Sequence, residues 1–250
     1  MSRKGAYYNE HDKFAAAWLR ELIKKNLIAP GDVDERDIQK VKGSDLDGYT
    51  QVHFFAGIGG WSYALRLSGW DDSRSVWTGS CPCQPFSAAG KRQGEADARH
   101  LWPEMRRLIA ERSPAICFGE QVASDDGCRW LAGVFTDMEE LEYRVAGADL
   151  CAASVAAPHA RQRLWWLANA GRVGRERWRK VQPTHRHEGW NELERLVQHH
   201  TRLAVPAGGR GAISDGIPAG MDIRRCFGNA IVPQVAARFI EASVMAMEEA

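Results

Sequence analysis

The run Ser80-Cys81-Pro82-Cys83-Gln84-Pro85-Phe86-Ser87 sets a thiol between two prolines. A thiolate is a strong nucleophile, and the prolines stiffen the loop that would present it. Val76, Trp77 and Thr78 lead in, and polar, Gly-containing sequence from Ala88 to Gly94 comes after, which predicts a short buried strand ending in a loop. Cys83 then stands at the strand's carboxyl end, where open α/β sheets hold their ligands. A buried structural thiol is the common fate of a lone cysteine. Flanking prolines in a polar loop do not suit that fate. No second Cys or His pair stands at zinc-ligand spacing from Cys81-x-Cys83, and the zinc-deaminase signature is missing, so no metal is expected.

Further residues could serve that thiol. Glu120 closes the apolar run Ala115 to Gly119, and on a strand parallel to the one before Cys83 it would reach the same rim. The plainer alternative is a solvated strand-end charge. Arg161 and Arg163 precede the apolar run Leu164 to Leu167, and two residues at i and i+2 of an extended segment point the same way. They could hold a substrate ring, or they could be a solvated or phosphate-binding pair. Val52 to Phe55, then Ala56-Gly57-Ile58-Gly59-Gly60, then Trp61 to Ser68 read as strand, Gly-rich turn and helix. That arrangement lets backbone approach a cofactor at a helix N-terminus, although a lone Gly-x-Gly-Gly is as often an ordinary turn.

The rest of the chain has to supply the scaffold. Its 250 residues suffice for one sizeable α/β domain and a small appended piece. A formal net charge of +1 excludes a polycation, so any nucleic-acid contact must come from a local basic patch. No apolar run is long enough to span a bilayer and no signal-peptide pattern opens the chain; the 6 Cys lack a disulfide-framework spacing. A cytoplasmic protein without a membrane partner is expected. Tyr7 to Asn9 predicts a strand ending at Glu10, and Asp12 caps an amphipathic helix with Phe14, Trp18, Leu22 and Ile23 on one face. Pro30-Gly31 stops that unit before Asp32-Val33. A helix bearing Leu101, Met105, Leu108 and Ile109 precedes the Ala115 strand, and the helix around Trp130 to Met138 and the alternating residues Tyr143 to Val155 are scaffold. Residues 169–220 differ in composition: Arg175, Arg177, Arg179 and Lys180 are interleaved with Trp178, which suits contacts to phosphates and grooves.

The Pro-Cys-Gln-Pro-Phe-Ser run resembles the nucleophile loop of the DNA cytosine-5 methyltransferases. Phe55-Ala-Gly-Ile-Gly-Gly60 resembles that family's first motif, Asn9-Glu10-His11-Asp12 and Gly31-Asp32-Val33 its second and third, and Gly119-Glu-Gln-Val122 its Glu-Asn-Val with Gln for Asn. His159-Ala-Arg161-Gln-Arg163 resembles the Gln-x-Arg-x-Arg motif with His for Gln, and Phe227-Gly-Asn229-Ala-Ile-Val-Pro233 the last motif. The resemblance implies a Rossmann-like S-adenosylmethionine-dependent methyltransferase sheet and a small basic recognition insert. It implies Cys83 as nucleophile, Glu120 as acid, and Arg163 with Arg161 beside the target ring. Phe55, Gly57, Gly59, Gly60, Glu10, Asp32, Val33, Pro82 and Asn229 would bind S-adenosyl-L-methionine, with Glu10 on the ribose hydroxyls and Asp32-Val33 at the adenine. Gln84, Ser87, Arg175, Arg177, Arg179 and Lys180 would face double-stranded DNA. The implied organisation is a catalytic and cofactor-binding domain over 1–168, a recognition region over 169–220 and a returning C-terminal motif and helix over 221–250, in a monomer bound to the nucleoid through DNA.

One departure from the family's layout matters. The Gly-rich motif usually comes first, whereas here Leu67 to Val76 leaves too little chain for the ribose and adenine strands after it, and the matching residues lie upstream. A rearranged strand order is therefore expected. The alternatives are an RNA cytosine-5 methyltransferase of the same fold, a catalytically silent DNA-binding protein, and a user of another one-carbon donor.

Overall fold

A computed structural model describes residues 4–82, 101–157, 159–171 and 230–248. Its strands are β1 (Lys4–Asn9), β2 (Gly31–Asp34), β3 (Tyr49–Phe54), β4 (Val76–Gly79), β5 (Ile116–Val122), β6 (Arg144–Cys151) and β7 (Gln162–Asn169). Its helices are α1 (Lys13–Lys24), α2 (Gly60–Leu67), α3 (Trp102–Arg112), α4 (Asp125–Glu140) and α5 (Pro233–Glu248). The strands make one 7-stranded sheet in the order β2-β1-β3-β4-β5-β7-β6. From β2 to β5 the neighbours are parallel, and β7 runs antiparallel to both β5 and β6.

Parallel strands bury both faces, and the sequence supplies apolar side chains to both. On one face Tyr7, Val52, Phe54, Trp77 and Cys117 pack with Leu108 and Ile109 of α3 and Val134 of α4. On the other, Val76, Phe118 and Trp165 pack with Trp61 and Leu65 of α2 and Phe239 and Ile240 of α5. Ala6 and Tyr8 of β1 turn toward α1, against Leu19 and Ile28. The mixed α/β sheet is the class expected, and the strand of the Gly-rich turn, β3, lies between β1 and β4 although β1 precedes it in the chain.

Helix α1 starts where expected, because the Asp12 carboxylate accepts the amides of Phe14 and Ala15 and so satisfies two otherwise orphaned donors. Its buried stripe differs from the expected one. Ala15, Ala16 and Leu19 are covered, whereas Phe14 is 37% and Trp18 40% exposed. At 3.6 residues per turn a stripe centred on Leu19 puts Phe14 and Trp18 on its flank. Helix α3 begins at Trp102, so Leu101 caps that helix rather than lying within it.

Candidate active site

The registers bring the functional residues to one rim. Asn9 lies opposite Phe54, Phe54 opposite Gly79, and Gly79 opposite Gly119. Glu10, Phe55 and Ser80 directly follow β1, β3 and β4, and Glu120 is the next residue on β5, so all four come to the carboxyl edge of adjacent parallel strands, where open α/β sheets bind ligands.

At the β1–β3 end of the rim, the Glu10 carboxylate accepts the Gly57 amide at 2.7 Å and the Asp12 amide at 2.8 Å. A backbone bond from Ala56 to the Asn9 carbonyl, 3.0 Å, fastens the same two segments. The turn itself is tight. Phe55, Gly57 and Gly59 have φ of 51°, 55° and 83°, and Phe55 is a non-glycine residue held in the left-handed region, a strain that clusters at ligand sites. At Gly60 a Cβ would stand 2.7 Å from Ile231 Cγ1, so this glycine admits the segment leading into α5. An apolar cavity of about 880 Å³ opens beside the turn, between Trp18 and Leu22 of α1, Gly59 and Gly60, and the facing Arg161 and Ile231.

Asp32 and Val33 make different contacts but line one cavity. Val33 joins the α1-facing cluster, while the Asp32 carboxylate accepts the Tyr49 hydroxyl at 2.5 Å. Asp32 pairs with Tyr7, three residues short of Glu10, and lines a separate polar cavity of about 410 Å³ with Tyr7, Asp34, Arg36 and Tyr49. Asp32 is thus not brought to Glu10's end of the rim.

At the β4–β5 end, Glu120 is 7% exposed, and Arg163 Nε lies 3.4 Å from its Oε2. Strands β5 and β7 impose this pair, since Val122 is in register with Arg163 and Glu120 with Trp165. Burial pushes the Glu120 carboxyl above the usual carboxylate range, against the pull of Arg163, Arg161 and the nearby Ser80 hydroxyl. Oε2 makes no hydrogen bond among the described residues. The site therefore holds a buried carboxyl whose pKa is raised by burial and whose Oε2 meets the Arg163 guanidinium without a hydrogen bond. Burial and the neighbouring Arg163 push the Arg161 guanidinium down, and Glu120 opposes them.

The stem of the thiol loop is held by residues whose roles spacing alone does not disclose. Gln121 Nε2 donates to the Cys81 carbonyl at 3.4 Å, and Trp61 Nε1 donates to Ser80 Oγ at 3.0 Å. Cys81 is itself buried, its Sγ 3.9 Å from Met105 Sδ, and burial followed by the Glu120 charge pushes its thiol well up. A thiol so disposed is a poor nucleophile. Pro82 is exposed at the loop's start. Cys83, Gln84, Ser87, Arg175, Arg177, Arg179, Lys180 and Asn229 lie outside the described residues.

Fold and rim together define an α/β protein with a Gly-rich, carboxylate-anchored turn at one end of the edge and a buried Glu–Arg pair at the other. The family profile described as C-5 cytosine-specific DNA methylase matches residues 71–198, and the chain belongs to that family. Residues 1–70, with Glu10 and the Gly-rich turn, fall outside the matched range. The type II methyltransferase M.PspPI of Psychrobacter sp. (strain TA137) is 33% identical over 147 residues, covering 57% of this chain and 28% of that protein. M.HhaI of Haemophilus parahaemolyticus is 26% identical over 167 residues, covering 51% of each. The chain thus spans about half, or less, of the length of these curated relatives. Among solved structures, a DNMT2 mutant from Spodoptera frugiperda aligns at a TM-score of 0.45 and 15% identity, over 70% of this chain and 45% of that one.

Proposed function

We propose that this chain transfers a methyl group from S-adenosyl-L-methionine to C5 of a cytosine in double-stranded DNA, through a covalent bond between Cys83 and C6. The observation that carries the reading is Glu120: a buried carboxyl beside Arg163, its pKa raised by burial, on the strand paired with the stem of the Cys83 loop. Type II methyltransferases among the relatives favour DNA as substrate.

Cytosine C5 is a weak nucleophile, and its ring lies inside the duplex. Reaching it requires flipping the nucleotide, at a cost of a few kcal/mol. The Cys83 thiolate adds to C6 while Glu120 gives its proton to N3, so negative charge does not build up on the ring. Glu120 also accepts from the 4-amino group, and Arg163 holds O2, with Arg161 beside it. C5, now enamine-like, is able to accept a methyl group. A base then takes the C5 proton, the S–C6 bond breaks, and the N3 proton returns to Glu120.

The cofactor supplies an electrophilic methyl on sulfonium. Residues at the other end of the rim fit it: a carboxylate suits a ribose diol, and the Phe55–Gly60 turn exposes backbone beside the cavity. Glu10, Phe55, Gly57, Gly59 and Gly60 would hold it, joined by Pro82 and Asn229; Asp32 and Val33 are assigned to the adenine on family resemblance alone. In this reading β1 and β2 stand in the places that the ribose and adenine strands usually take after the Gly-rich strand, a rearranged order. Gln84, Ser87 and the basic residues Arg175 to Lys180 would contact DNA, in a cytoplasmic monomer. Bisulfite sequencing of DNA from cells expressing the chain tests the proposal. Protected cytosines at a fixed sequence are expected; unmodified DNA alongside methylated RNA would move the substrate to RNA.

A further inference from the structure

Main-chain pairing between β4 and β5 ends with Gly79 opposite Gly119, yet β5 runs on to Val122, paired there with β7. Ser80 and Cys81 follow β4 and lead straight into Pro82 and Cys83, and Pro82 has no amide hydrogen to extend the ladder. The chain is nevertheless gripped at this point from three sides. Ser80 Oγ accepts Nε1 of Trp61 at 3.0 Å, from the face covered by α2. Cys81 turns to the opposite face, as neighbours in an extended segment do, and its Sγ lies 3.9 Å from Sδ of Met105 on α3. Met105 reaches that point because Gly79 has no side chain: a Cβ there would stand 2.6 Å from the same sulfur. From β5, Gln121 Nε2 donates to the Cys81 carbonyl at 3.4 Å while its Oε1 accepts the Val122 amide at 3.0 Å. A carboxamide both donates and accepts, so Gln121 carries the tie between the two strands past the end of their ladder. All three gripping side chains are buried.

We propose that Trp61, Met105 and Gln121 are positioning residues that clamp Ser80 and Cys81, and so fix where the nucleophile loop leaves the sheet. The inference rests on the proposed function for its catalytic meaning, whereas the clamp itself is a feature of the fold. Contacts from two faces and from a neighbouring strand oppose motion in different directions, which no single contact could do. Gln121 is also the residue after Glu120, so the strand that carries the acid holds the stem of the thiol. A slip of β4 against β5 would separate the two groups, and the Gln121 amide resists that slip. The stake is large, because a misplacement of about 1 Å can cost roughly 10²-fold in rate.

The test uses two variants of the full chain. Gln121→Met keeps the length of the side chain without its donor, and Trp61→Phe keeps an aromatic ring without the N–H. Amide hydrogen exchange, read by mass spectrometry, should quicken at Ser80 and Cys81 in both, while β1 and β3 exchange as in the wild type. Formation of the covalent adduct with duplex DNA containing 5-fluorocytosine should slow by roughly ten- to a hundred-fold in Gln121→Met. Its affinities for that DNA and for S-adenosylmethionine should stay at the wild-type level, a split between rate and binding that a general loosening of the fold would not give. Unchanged exchange at Ser80 and Cys81 in both variants overturns the proposal, and so does a wild-type rate of adduct formation in both. If exchange quickens but the wild-type chain itself forms no adduct, the clamp stands and the proposed function fails.

Discussion

Glu10 Oε2 accepts the backbone amide of Gly57 at 2.7 Å across 47 residues of chain. In the order of the chain Glu10 comes first, just after β1, and Gly57 comes after β3, yet the parallel pairing of β1 with β3 sets them side by side. The carboxylate thereby fixes the Gly-rich turn, and in the proposed function the ribose of the cofactor would meet both.

Removing that carboxylate is therefore expected to damage cofactor binding more than folding. Two charge-assisted hydrogen bonds are worth on the order of 2–4 kcal/mol. Glu10→Ala should weaken S-adenosylmethionine binding by roughly tens- to hundreds-fold in calorimetric titration. Equal affinities in wild type and variant would detach the upstream segment from cofactor binding.

Glu120→Gln keeps the shape of the side chain but removes the proton destined for N3. Turnover should fall by roughly 10²-fold or more, with cofactor affinity nearly unchanged. Near-normal single-turnover rates would take Glu120 out of the chemistry.

Much of this site is legible in the sequence, and the reasons are local. The runs before Glu10, Phe55, Ser80 and Glu120 are apolar enough to be buried strands, and parallel strands deliver the residues at their carboxyl ends to one edge. Glycines in the turn after Phe55 mark the place where backbone must bend left-handed. The features hidden from the sequence depend on register and on contacts between strands. Asp32 sits level with Tyr7 instead of at the edge, because β2 already begins at Gly31. Trp61, Ser80 and Gln121 act by touching other strands, and no spacing within one segment reveals such contacts. The exposed ring of Trp18 escapes a simple helical wheel, which does not say where the buried stripe is centred.

His53 gives a pH prediction for stability. It is buried at the middle of the sheet, stacked on Tyr8, with Nδ1 2.8 Å from Thr78 Oγ1 and Nε2 3.3 Å from Gln51 Oε1. Burial lowers its pKa to about 3, so the folded chain keeps it neutral while the unfolded chain protonates it near pH 6.5. A depressed histidine pKa means that the unfolded state binds more protons below that point, so stability falls as pH falls. The loss should reach about 2 kcal/mol by about pH 5, and His53→Gln should flatten that slope in urea titrations. An unchanged slope would assign the acid sensitivity to other groups.

The basic residues Arg175, Arg177, Arg179 and Lys180 should carry the electrostatic part of DNA binding. Replacing them by Ala should weaken binding and flatten its salt dependence, because each phosphate contact releases counterions. If the slope of log affinity against log salt is unchanged, recognition lies elsewhere in the chain.

The most direct measurement is capture of the covalent intermediate. Duplex DNA in which 5-fluorocytosine replaces the target base, incubated with the chain and S-adenosylmethionine, should yield a stable adduct, because fluorine cannot leave C5 as a proton does. Peptide mass spectrometry should place that adduct on Cys83, and Cys83→Ser should abolish it while Cys81→Ser leaves most of it. An adduct mapped to Cys81, or none at all from a chain shown to bind both DNA and cofactor, would contradict the account.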